Sequence, residues 1–194
     1  QKLKDQNIDD VILEASSHGL KQHRLDGLNF KIGIFTNLSR DHLDYHKSFK
    51  DYLNSKLHLL KKLLQKNSNV ITDLDIPEYK KIKSIVRRKK LKLNTISTKS
   101  ADLNLISHKY EGEKQSLKIN YKNKLYTLEL NLIGKVQLKN LLMSMIAANM
   151  SNIEFRKVVN VVKKIKSVPG RFEKIGTIKN NSLVILDYAH TPDA

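Results

Sequence analysis

Two short apolar runs that each break off in a burst of polar groups constrain this chain more than anything else in it. Asp9-Asp10-Val11-Ile12-Leu13 gives way to Glu14, Ser16, Ser17, His18, Gln22, His23 and Arg24, and Lys31-Ile32-Gly33-Ile34-Phe35-Thr36 gives way to Asn37, Ser39, Arg40, Asp41, His42, Asp44 and His46. Short runs rich in β-branched residues read as buried parallel strands, and in open α/β sheets the ligand crevice lies beyond the carboxyl ends of such strands. Both runs are therefore expected to be strands that deliver polar side chains to one site.

The rest of the chain continues the alternation. From Ser48 to Gln65, Phe49, Tyr52, Leu53, Leu57, Leu60 and Leu64 recur at helical spacing, with Ser48 as the N-cap and Lys56 on the helix. Asn69 to Thr72 reads as a strand, Pro77 opens a basic helix to about Lys90, and Leu93 to Ser97 returns to the sheet. Between Ala101 and Leu132 the pattern changes to period two. Leu103–Ile106, Leu117–Tyr121 and Leu125–Leu130 form an antiparallel meander that extends the sheet, with turns at Glu111-Gly112-Glu113 and Lys122-Asn123-Lys124. Two helices follow, about Gln137–Met150 and Glu154–Ile165; the apolar stripe of the first is a core face and needs no cofactor. The expectation is an α/β domain over residues 1–166, with 167–194 opening a second unit through strands Lys174–Ile178 and Ser182–Leu186. The second strand again ends in polar residues, Asp187-Tyr188-Ala189-His190. Both ends of the chain read as truncated, the first seven residues resembling the end of a helix.

A formal charge of +17 over 194 residues raises nucleic acid as a partner. The lysines are scattered between helical apolar positions, arginine is scarce beside them and aromatic residues make up 6%, so a solvated face is the simpler reading. Cysteine is absent and no run approaches a membrane span, which makes a reducing cytoplasm the default compartment.

Six stretches occur in an order that identifies a family. They are EASSHGLKQHR (Glu14–Arg24), FTNLSRDHLDYH (Phe35–His46), Lys56, LIGKVQLKNLL (Leu132–Leu142), PGRFE (Pro169–Glu173) and LDYAHTPDA (Leu186–Ala194). With them the chain resembles the Mur ligases of peptidoglycan synthesis, and within these the MurE type. The resemblance implies most of a central ATPase domain, a mostly parallel sheet flanked by helices with a small antiparallel extension, plus the first strands of a C-terminal α/β domain. It implies an ATP-dependent amide ligase that adds meso-diaminopimelate or L-lysine to UDP-MurNAc-L-Ala-D-Glu through an acyl phosphate. Phosphoryl transfer of this kind needs Mg²⁺ and cationic side chains around the phosphates more than covalent help.

The implied roles fall on particular residues. Glu14, His42 and Lys56 match the catalytic, metal-binding positions; Ser16, Gln22 and Arg24 match contacts to the UDP-MurNAc-dipeptide; Asn140, Arg171 and Asp187 match positions near adenine, phosphate and ribose, with His190 in the same motif. Read from the residues alone, each has a plainer role. Glu14 can cap a helix or pair with Arg24, His42 can be a hydrogen-bonding residue like His18, His23 and His46, Ser16 and Asn140 can cap turns, and Arg171 can make an ion pair. Lys56 by itself is a solvated ammonium that would repel Mg²⁺. The resemblance implies that CO₂ converts it to an anionic carbamate, a reaction that needs the neutral amine of a group titrating near about 10.4.

Two departures stand beside these matches. Val136-Gln137 replaces the usual Phe-Asn pair, and no G-x-x-x-x-G-K-[ST] loop occurs, so these residues by themselves are expected not to turn over ATP. A noncatalytic Mur-like relative and a basic nucleic-acid-binding module remain the competing classes.

Overall fold

The computed structural model describes residues 5–39, 43–111 and 114–189. Its centre is one six-stranded sheet in the order β1-β2-β3-β4-β5-β6: β1 (Phe30–Phe35), β2 (Leu64–Asp73), β3 (Lys92–Ser97), β4 (Leu103–Glu111), β5 (Lys114–Tyr121) and β6 (Lys124–Leu130). β1 to β4 pair in parallel, while β4, β5 and β6 form the antiparallel meander. The helices are α1 (Ser17–Lys21), α2 (Phe49–His58), α3 (Tyr79–Lys89), α4 (Lys135–Met150) and α5 (Phe155–Val162). Among the described residues, no helix is long and apolar enough to cross a membrane.

Alternation along the parallel strands sorts the core into two layers. Val70 and Phe35 point to a cluster with Leu57, Leu60, Leu64, Ile82, Ile85 and Val86, under α2 and α3. Ile71 and Ile96 point the other way, into a larger cluster with Leu117, Ile119, Leu128, Leu142 and Ile146, under α4 and α5. A parallel sheet buried on both faces in this way accounts for the short consecutive apolar stretches Ile32–Phe35 of β1 and Val70-Ile71 of β2.

Two expectations are corrected. Residues 8–16 form no strand: Val11 is 59% exposed and Ile12 fully exposed. An apolar run specifies burial but not a pairing partner: β1 ends the sheet with one edge unpaired among the described residues, and this segment does not take it. The helix carrying Lys56 is also shorter than the apolar spacing indicates. It is regular to His58, widens into a π-helical turn over Leu59–Leu63, and β2 already begins at Leu64. The wide turn packs closely on β1, where a Cβ at Gly33 would lie 3.0 Å from Leu64 Cδ1 and 3.4 Å from Leu60 Cδ2. A glycine lets helix and strand approach at that point.

The remaining boundaries agree with the sequence pattern within a few residues. Ser48 caps α2, its Oγ accepting the Asp51 N–H at 3.1 Å, and Lys90 closes α3 in the left-handed conformation. β7 (Glu173–Ile178) and β8 (Ser182–Leu186) form a separate antiparallel hairpin. The lysines lie on several elements, Lys80, Lys81, Lys122, Lys124, Lys163 and Lys164 all being exposed.

Candidate active site

The two polar segments expected from the sequence meet beside the start of α2. Ser16 caps α1, its Oγ accepting the Gly19 N–H at 3.1 Å. The Gln22 side-chain amide donates to the Tyr45 hydroxyl at 2.9 Å, and His18 stacks on Tyr45 with ring centroids 4.0 Å apart. Lys21 makes an ion pair with Asp51. Glu14 and Arg24 flank this junction as exposed side chains, and the Arg24 N–H donates to the Gly19 carbonyl at 2.9 Å.

Beneath the junction lies a buried histidine. His46 is 1% exposed; its Nε2 is 3.0 Å from Ser17 Oγ, its Nδ1 is 3.7 Å from Asp51 Oδ2, and its ring stacks on Tyr52 at 5.0 Å. A proton on Nδ1 would face the Asp51 carboxylate and leave Nε2 to accept from the Ser17 hydroxyl. Burial, reinforced by the nearby Lys21 ammonium and His18 and opposed by Asp51, lowers its pKa from 6.5. The unfolded chain therefore takes up this proton first as pH falls, so stability declines below about pH 6.5 and levels once the folded histidine also protonates. Unfolding free energies from urea titrations between pH 7.5 and 5 are expected to fall with a slope of at most about 1.4 kcal/mol per pH unit from this group. His46→Gln should flatten that part of the profile; an unchanged slope would remove His46 as its source.

Lys56 projects from α2 toward the segment that follows β1. Its Nζ donates to the Asn37 carbonyl at 3.4 Å and lies 5.1 Å from the centroid of the Tyr52 ring. Tyr52 thus touches both the buried imidazole and the candidate lysine. His42, predicted as the neighbouring metal ligand, lies outside the described residues.

The residues expected to hold the nucleotide gather around the start of α4, which the Lys139–Asp73 pair places at the carboxyl end of β2, beside that of β1. Gly134 precedes the helix at φ 89°, and a Cβ there would meet the Phe172 ring at 3.6 Å. The Gln137 amide donates to the Arg171 carbonyl at 3.4 Å, which gives the departure from the usual Phe-Asn pair a structural role: it holds the Arg171 turn against α4. The Arg171 guanidinium lies 4.7 Å from the Tyr188 ring centroid. Asp187 Oδ1 accepts the N–H groups of Phe172 at 3.3 Å and Tyr188 at 2.9 Å. Arg171 and Asp187 are therefore brought together beside α4, whose second turn carries the half-buried Asn140. His190 lies outside the described residues.

One charged pair escaped the sequence reading. Asp73, at the carboxyl end of β2, is fully buried, and its Oδ2 lies 2.5 Å from the ammonium of Lys139, the residue before Asn140. The signal was available in outline, since Val70-Ile71-Thr72-Asp73 is another apolar run ending in a polar group.

A doubly covered, mostly parallel sheet with its polar groups collected past the strand ends is a ligand-binding α/β domain. Residues 1–148 match the model of the Mur ligase middle domain, and the chain belongs to that family. It is 36% identical over 193 residues to a UDP-N-acetylmuramoyl-L-alanyl-D-glutamate--2,6-diaminopimelate ligase of Rickettsia bellii (strain RML369-C), covering 100% of this chain and 40% of the relative. The ligase of the same name from Chelativorans sp. (strain BNC1) is 34% identical over 194 residues, again covering 100% and 40%. A solved structure of a UDP-N-acetylmuramoyl-L-alanyl-D-glutamate--2,6-diaminopimelate ligase superposes with a TM-score of 0.78 at 31% identity, over 93% of this chain and 37% of that one. MurF from Thermotoga maritima, solved in complex with ADP, shares the fold at a TM-score of 0.73 and 16% identity, over 92% and 40%. The chain spans about 40% of the length of the curated relatives it matches.

Proposed function

We propose that this chain is the central part of an ATP-dependent amide ligase that joins 2,6-diaminopimelate to the D-glutamate end of UDP-MurNAc-L-Ala-D-Glu in the cytoplasm. The observation that carries the reading is the junction of the Glu14–Arg24 and Phe35–His46 segments through Gln22 and Tyr45, next to the helix that bears Lys56. Ser16, Gln22 and Arg24 would hold the dipeptide substrate, a planar guanidinium suiting a carboxylate or phosphate. Asn140, Arg171, Asp187 and His190 would hold ATP, and residues 167–194 would open the domain that closes over it.

Mg²⁺ fits this site by donor chemistry only in part. Glu14 offers a hard carboxylate oxygen, but the Lys56 amine rests against a carbonyl and an aromatic face, which is where an ammonium sits, and an ammonium has no lone pair to give. Converted to a carbamate, Lys56 would supply oxygen donors, and Glu14 and His42 are the other residues that would hold the metal. When bound, the metal supplies neutralisation of the phosphate oxygens. The chain's own task is to keep substrate, Lys56 and nucleotide residues in register, which the His46, Tyr52 and Asp73–Lys139 contacts support.

The test is ATP-dependent phosphate release by the protein in its full length. Release is expected to require both UDP-MurNAc-L-Ala-D-Glu and 2,6-diaminopimelate, with L-lysine substituting poorly. A folded full-length protein that releases no phosphate would favour a noncatalytic relative, and strongly salt-dependent binding of RNA or DNA in its place would favour the nucleic-acid class.

A further inference from the structure

His23, Asp26 and His58 converge on the side of the molecule where the turn after α1 meets the end of α2. His23 Nδ1 lies 2.8 Å from Asp26 Oδ2 and His58 Nε2 lies 2.9 Å from Asp26 Oδ1, while the two imidazole rings sit edge to face with centroids 4.9 Å apart. One donor atom from each of the three lies within 4.8 Å of the others. Among the described residues this is the place where three such groups meet. The hydrogen bonds from His58 and then His23 hold the Asp26 carboxyl below its usual range, so it is an anion across the whole neutral region.

We propose that these three residues form a binding site for a borderline divalent transition metal of the Zn²⁺ type, separate from the Mg²⁺ chemistry of the ligase reading and independent of it. Two imidazoles and one carboxylate are a ligand set that zinc takes, with a further position left for water. Imidazole donors select zinc, cobalt, nickel or copper over magnesium and calcium, which prefer oxygen throughout. Zinc bonds of about 2.0–2.2 Å need donors roughly 3.3 Å apart, so the observed set, whose donors lie within 4.8 Å of one another, must close by up to about 1.5 Å at its widest. His23 and Asp26 have side chains 63% and 45% exposed and can make that movement, while His58, at 16%, is the fixed member.

The backbone already favours the arrangement. His23 holds a left-handed φ of 57°, uncommon for a residue with a side chain, and the Asp26 N–H donates back to the His23 carbonyl at 3.1 Å. The consequence of binding is mechanical. His23 lies between Gln22 and Arg24, and His58 lies two residues beyond Lys56, so the metal would clamp the turn to the helix and tie two parts of the candidate active site together.

The test is titration of this chain, stripped with chelator, with ZnCl₂ by calorimetry and with CoCl₂ by visible absorption at neutral pH. One equivalent is expected to bind, with the intense visible band of four-coordinate cobalt and shifts of the His23 and His58 imidazole nitrogen signals. His23→Asn, which keeps a residue tolerant of positive φ, Asp26→Asn and His58→Ala should each weaken binding at least about tenfold, since even losing a group that merely supports a ligand commonly has that effect. His108→Ala, on β4, should leave it unchanged. Circular dichroism melts confirm that the exposed-site variants fold. Absence of saturable binding, or binding untouched by the first two variants, would overturn the site and leave the three residues as an ion-pair network.

Discussion

Lys56→Ala and Lys56→Arg in the full-length protein are both expected to lower ATP-dependent phosphate release by about 10²–10³-fold, the scale on which loss of one preorganised group facing developing charge is felt. Arginine is the informative variant. If Lys56 acted as an ammonium, arginine would keep the positive charge beside Asn37 and Tyr52 and retain much of the rate. If the working form is a carbamate, arginine is as inactive as alanine, because a guanidinium stays protonated and does not take up CO₂. The wild-type rate should then also fall in carbonate-free buffer and return when bicarbonate is added. A Lys56→Arg rate near the wild-type level would end the carbamate reading, while leaving the ligase reading to be judged by its own substrate dependence.

That prediction rests on a residue whose importance no periodicity could reveal. Lys56 lies on an amphipathic helix among many lysines, and its distinction comes from what the fold sets against it, a strand-end carbonyl and the face of a buried tyrosine. The parallel strands after residue 30, the meander and the helices over 135–150 and 155–162 were legible, because short apolar runs, period-two alternation and helical apolar spacing were each bounded by turn residues. The 8–13 segment was not, because its apolar residues specify burial without naming a neighbour. The early start of β2 was hidden because Leu60, Leu63 and Leu64 keep helical spacing through a turn that has already widened.

The candidate site divides in the same way. The polar segments and Asp187 were visible as clusters of chemistry at the ends of apolar runs, Arg171 only through the family resemblance, and the structure adds how they are held. Ser17 and His46 are 29 positions apart, and no local pattern signals that the hydroxyl faces the imidazole. Asp73 and Lys139, and likewise His23 and His58, meet through packing of separate elements. Side chains that act by contact across elements are legible only once the topology is known.

The largest expected effect on folding comes from Leu128→Ala. Leu128 is fully buried on β6, directly opposite the buried Leu117 of β5, in the cluster that includes Leu142 and Ile146 of α4. Truncation removes three carbons from a core layer that α5 covers by packing on β6, so the cavity can collapse only partly, and the loss is expected at about 2–5 kcal/mol. Leu125→Ala, three residues earlier on the same strand and 57% exposed, should change stability by no more than about 0.5 kcal/mol. Urea midpoints of the two variants, with unchanged slopes, make the comparison. Equal small effects would mean that the meander packs loosely against α5, and that matters for the site. The helix resting on β6, α5, packs in turn on α4, whose first turns carry Gln137, Lys139 and Asn140, so the position of those residues depends on the firmness of the layer they share.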